Sequence, residues 1–89
     1  MTIYKFPLPK NFCSPFSLAL PSNARVIKAG RSHEEAPICM WVELDPVAKQ
    51  EKTTFAVMAT GEEFDDSWKH CYTFFEGMFV WHLYQQVTL

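Results

Sequence analysis

No run of about 18 consecutive apolar residues, the length a membrane-crossing helix needs, occurs among the 89 residues. The longest candidates are cut by Glu43, Glu76 and His82, which excludes a helical span and predicts a soluble protein with no membrane partner. Met1 to Lys10 also lack an apolar run ahead of a small-residue cleavage site, and Pro7 and Pro9 would break the helix of a secretory leader. The expected compartment is the cytoplasm. Basic excess is missing too: eight Lys and Arg against ten Asp and Glu leave a net charge of −2 and a pI near 5.8. Without a basic field to recruit phosphate backbones, duplex nucleic acid is not an expected partner. Cysteines are few and odd in number. Cys13, Cys39 and Cys71 lie far apart, neither a disulfide framework nor a metal knuckle, and read as reduced, mostly buried thiols. No repeat, low-complexity segment or catalytic motif stands in the chain.

What is present is an ordinary globular composition, 48% hydrophobic and 20% charged, in a length that fits one domain over residues 1–89. A chain this short buries only about 60–65% of its unfolded surface, so its stability is marginal unless something adds burial. Eight Phe, three Trp and three Tyr exceed what one small core consumes. Aromatic rings concentrate at interfaces and ligand platforms, so a homo-oligomer is the economical expectation.

Period-two alternation recurs along the chain. It predicts strands over Thr2 to Phe6, Phe16 to Leu20, Ala24 to Ala29, Ile38 to Leu44, Thr53 to Thr60, His70 to Phe75 and Met78 to Gln85. Ile38 to Leu44 is the clearest, with Ile38, Met40, Val42 and Leu44 on one face and Cys39, Trp41 and Glu43 on the other. Pro7 to Pro15, Gly30 to Pro37, Val47 to Lys52 and Glu62 to Lys69 read as connections, with at most one short helical turn. Glu76-Gly77 reads as a tight hairpin. Six or seven short strands of this kind imply an all-β antiparallel sandwich or open barrel.

The constellations point to binding and not to catalysis. His33, His70 and His82 lack the paired spacing of a structural metal site, so no metal and no cofactor are expected. No base and orienting group accompany a cysteine or serine nucleophile. Asp65 and Asp66 with Glu62 and Glu63 form a solvated acidic loop. Thr60-Gly61, ending a strand, lets backbone N–H groups approach an anion, the plain alternative being an ordinary turn. Arg25, Lys28 and Arg31 make the one local basic patch and suit phosphates. Strict alternation separates Arg25 from Lys28, however, so the patch needs twist, loop curvature or a symmetry mate to converge. Trp41 and Trp68 are candidate faces for stacking a base, Trp68 because it lies in a polar loop, whereas Trp81 belongs to the core or to an interface.

The ordered pieces Ile3-Tyr4-Lys5-Phe6, Cys39-Met40-Trp41-Val42-Glu43-Leu44-Asp45-Pro46, Ala59-Thr60-Gly61 and Thr73-Phe74 followed by Gly77-Met78-Phe79-Val80-Trp81-His82 carry a resemblance. The chain resembles a widespread family of small, phage-encoded domains of unknown function from Ile3 to Tyr84. It departs from the pattern in having Glu62-Glu63 after Gly61, where His-Pro is expected, and in an individual Gly30 to Ala36 loop. Small phage proteins of this size include viral sponges, which sequester cyclic nucleotide signals of antiphage defence. The resemblance therefore implies a non-enzymatic anti-defence protein holding such a signal between subunits, and the residues read above, Arg25, Lys28, Arg31, Trp41, Thr60, Gly61 and Trp68, are then the expected ligand contacts. The alternative is a protein-interaction module that inhibits a host enzyme or serves phage structure or assembly.

Overall fold

In β4, Cys39–Leu44, every second residue is driven inward: Met40, Val42 and Leu44 lose nearly all contact with water. The computed structural model describes residues 1–87. Among these, β1 is Thr2–Pro7, β2 Phe16–Pro21, β3 Arg25–Gly30, β5 Gln50–Ala59, β6 Trp68–Glu76 and β7 Phe79–Gln86. All pairings are antiparallel. One sheet has the order β1-β4-β3 and the other β2-β5-β7-β6. Both contribute to a common core in which Met40 and Val42 meet Phe55, Val57, Phe74 and Leu83, so the fold is a two-sheet sandwich. The expected all-β class is observed, and no helical turn occurs among the described residues.

Every strand shifts at one or both ends from the sequence reading, mostly by a single residue, and three of the shifts have a plain tertiary reason. β5 starts at Gln50 inside a stretch expected to be a polar connection, because Gln50, Glu51 and Lys52 pair with Pro21, Leu20 and Ala19 of β2. β6 starts at Trp68, which pairs with Gln86, so Trp68 is a half-buried strand residue and not a loop residue. Met78 belongs to the β6–β7 turn and not to β7: Glu76 pairs with Phe79, and Gly77, at φ +59°, supplies the left-handed residue of this two-residue hairpin. Cys13 is exposed, Cys39 buried and Cys71 half-buried, so one thiol departs from the buried expectation.

The two sheets approach each other closely at Gly30. Its φ of +137° is a conformation L side chains rarely adopt, and a Cβ built there would stand 3.7 Å from the Cβ of Phe74 on β6. Beyond Gly30, the Arg31 Nε donates to Glu76 Oε2 at 2.7 Å, tying the end of β3 to the end of β6. The core does not consume every ring: Tyr4, Phe64, Phe75 and Phe79 remain exposed, together with Met1, Ile3, Val47 and Met78.

Candidate functional site: an indole between two lysines

The outer face of the three-stranded sheet carries the best-organised group of predicted binding residues. β4 lies between its neighbours, so Trp41 is directly opposite Lys5 of β1 on one side and Lys28 of β3 on the other. The Lys5 Nζ lies 5.7 Å and the Lys28 Nζ 5.6 Å from the indole centroid, within cation–π range. The next row along the same face is Ile3, Glu43 and Arg25. Arg25 Nη2 sits 3.6 Å from Glu43 Oε1, an exposed pair of small energetic weight.

A register shift brings the cations together. Val26 pairs with Val42 and Lys28 with Trp41, which leaves Ile27 as an extra residue in β3. This β-bulge lets Arg25 and Lys28, three positions apart, share the outer face that regular alternation would deny them. The result is a half-buried aromatic surface flanked by two ammonium groups, with a guanidinium one row away. It can stack a planar ring while the lysines swing to nearby anionic groups.

A family profile matches residues 1–88. This chain belongs to the family described as Domain of unknown function (DUF7352). No curated protein and no solved structure matches it. In this DUF7352 domain the other predicted contacts lie elsewhere. Thr60 and Gly61 follow β5 in the four-stranded sheet, where the Thr60 hydroxyl lies 2.8 Å from His82 Nε2 and is thereby occupied. Gly61, at φ +91°, has open space around it. Trp68 starts β6 in that same sheet, while Arg31 lines a separate hollow. Of the seven predicted residues, Arg25, Lys28 and Trp41 converge and the other four do not.

Sequence reasoning missed three features of the DUF7352 domain. Lys5 completes the indole site, and only the β1–β4 pairing places it there. On the outer face of the other sheet, His82 Nδ1 and His70 Nε2 each lie 2.8 Å from the Thr73 hydroxyl, which extends the Thr60–His82 contact into a polar chain. Tyr84 and Phe64 border it, with ring centroids 4.6 Å apart. The third is a hollow of about 510 Å³ walled by Leu8, Phe12, Ile38, Phe79 and Trp81, with Arg31 and Glu76 at its rim. There the hydrogen bond to Glu76 raises the Arg31 pKa further above its ordinary value. No group of three or more His, Cys, Asp or Glu among the described residues could hold a metal ion.

In the acidic loop, Asp65 is committed to local structure. Its carboxylate accepts hydrogen bonds from the Ser67 hydroxyl and from the Ser67 N–H at 2.9 Å, which holds its pKa below the usual carboxylate range. This closes an Asx-type turn ahead of β6.

Proposed function

We propose that this DUF7352 domain is a non-enzymatic capture module for a small anionic nucleotide, with the cyclic oligonucleotide signals of antiphage defence as the ligand class. The carrying observation is Trp41 held between Lys5 and Lys28 on one exposed sheet face. A base stacks on the indole at ~1–3 kcal/mol, and the ammonium groups counter the phosphates. Arg25 extends the cationic row. The wider reading, of a phage-encoded sponge acting in the host cytoplasm between subunits of a homo-oligomer, is supported by the resemblance to small phage proteins. Large rings left exposed on this chain, Tyr4, Phe75 and Phe79 among them, also favour it.

The test is a thermal-shift panel of cyclic di- and trinucleotides. Ligand at 100-fold over its dissociation constant stabilises by about 2.7 kcal/mol, a rise of roughly 11–22 °C for a domain of this size. Trp41→Ala should abolish most of that rise without changing the unliganded melting temperature by a comparable amount. A flat response across the whole panel rejects the proposal.

One observation favours a second reading as a protein-docking module. The β6–β7 hairpin presents Phe75, Met78 and Phe79 at 75%, 90% and 58% exposure, an apolar tip suited to a host protein. Stoichiometric recovery of one protein on the wild type but not on Phe79→Ser selects that reading.

A further inference from the structure

We propose that β1 is a self-pairing edge, joining two copies of the chain into an antiparallel dimer centred on Tyr4, with both indole sites on one continuous face. This deepens the nucleotide reading, but its own evidence lies in the backbone and does not depend on a ligand.

β1 borders the three-stranded sheet and, among the described residues, pairs with β4 alone. The direction of its backbone groups follows from one bond: the Leu8 N–H donates to the Ile38 carbonyl at 2.9 Å, continuing the β1–β4 register. Backbone groups alternate sides along a strand, so the even-numbered residues of β1 bond β4. Ile3 and Lys5 therefore point their N–H and C=O groups to the open edge. Pro7, which has no N–H to donate, falls in the same outward set, where proline is tolerated on an edge strand.

Of the two-fold registers centred on Tyr4 and on Lys5, the first satisfies these groups better. It sets Ile3 opposite Lys5 of the second copy, and Lys5 opposite Ile3, in two hydrogen-bonded pairs that share four main-chain bonds. A register centred on Lys5 would oppose two ammonium groups and set Ile3 against Pro7, losing a donor. The Tyr4-centred register also covers what the edge leaves bare. Ile3 is 55% and Tyr4 43% exposed, which a lone edge strand does not require. Pairing stacks each Ile3 beside the partner's Lys5 stem on the outer face and sets the two Tyr4 rings together on the inner one.

The two-fold axis of such a pair stands perpendicular to the sheet, so both Trp41 rings face the same side. They are separated by three strand spacings, ~14 Å, across the sheet and by two residues, ~7 Å, along it. A ligand with two or more bases can touch both indoles, whereas a mononucleotide reaches one. An interface of a single strand pair falls below the ~1,200 Å² typical of stable complexes, so ligand-free association is expected on the order of 10–100 µM.

The test uses the full chain without ligand, followed by sedimentation velocity up to about 1 mM. The wild type should shift from monomer to dimer over that range. Ile3→Pro removes an outward N–H and none of the β1–β4 bonds, so it should stay folded and raise the dimer dissociation constant at least tenfold, while Ile3→Val stays dimeric. Tyr4→Cys, in a Cys13→Ser background, should form a disulfide dimer on mild oxidation, since directly opposed non-hydrogen-bonded residues have Cα atoms ~4.5 Å apart. Ile3→Cys, opposed to Lys5 of the partner, should not. A wild type monomeric at 1 mM, an Ile3→Pro that associates like the wild type, or cross-linking favouring position 3 over position 4 each overturns the proposal. If the dimer forms but no cyclic nucleotide binds, the ligand reading fails and the pairing stands.

Discussion

Replacing Gly30 with alanine separates two causes of instability that usually coincide. The added methyl has room: its nearest heavy atom is the Phe74 Cβ at 3.7 Å, ordinary van der Waals contact. The backbone has none, because φ +137° is strained for any residue with a Cβ, at a cost of about 1–3 kcal/mol. Alanine also restricts the unfolded chain, which returns ~0.4–1 kcal/mol to the folded state. The net loss should be ~1–2 kcal/mol, a fall in Tm of about 5–15 °C. A double-mutant cycle with Phe74→Gly, which removes that Cβ, read by urea unfolding, assigns the cause. If the dihedral is responsible, emptying position 74 gives no relief and the coupling stays within ~0.5 kcal/mol, although contacting residues usually couple by ~0.5–3. A rescue of 1 kcal/mol or more by Phe74→Gly would refute the reasoning, since the loss would then be crowding between the sheets.

Other perturbations follow from the same structure. Leu83, with no exposed surface at the centre of the core, should lose about 2–5 kcal/mol as Leu83→Ala in chemical denaturation, a large part of the ~5–15 typical of a domain. Burial pushes the Cys71 thiol up from 9.0 to about 11, partly offset by Lys69 and a backbone hydrogen bond at Gln85. Between those pH values the unfolded chain gives up this proton before the folded one does, so Cys71 costs stability as pH rises from 9 to 11, and Cys71→Ala should flatten that part of the profile. Exposed Cys13 should take iodoacetamide well before Cys71 does at pH 8, which peptide mapping reads directly. Glu76→Gln should lower Tm slightly at low ionic strength, and the difference from the wild type should vanish in about 1 M salt, where the Debye length is ~3 Å.

Much of the fold was legible because each strand carries its own alternation. Met40, Val42 and Leu44 declare an inward face without any knowledge of what they pack against. The polar start of β5 was not legible, since Gln50 to Lys52 are strand only by virtue of pairing with β2. Trp68 was misplaced for the same reason, its strand character coming from Gln86 across the ladder. At the candidate site the sequence supplied Trp41, Arg25 and Lys28 as residue types and identified the obstacle to their meeting. The bulge that removes this obstacle leaves no local mark, because Ile27 fits a regular strand equally well. Lys5 needed the pairing of β1 with β4, a contact spanning more than thirty positions of sequence that no short-range pattern encodes.

The surplus residue at position 27 bears on how chains of this kind can change length. Strands rarely survive the loss of one residue, because everything on one side of the gap turns over. Here the ladder already skips Ile27, so excising it would close β3 into regular pairing with Arg25 and Lys28 still facing outward. Cys71, skipped in the same way between His70 and Tyr72, offers β6 an equivalent allowance. A shorter relative missing either residue could keep the surface unchanged, and an alignment that shifted its gap by a few columns would match inward side chains with outward ones.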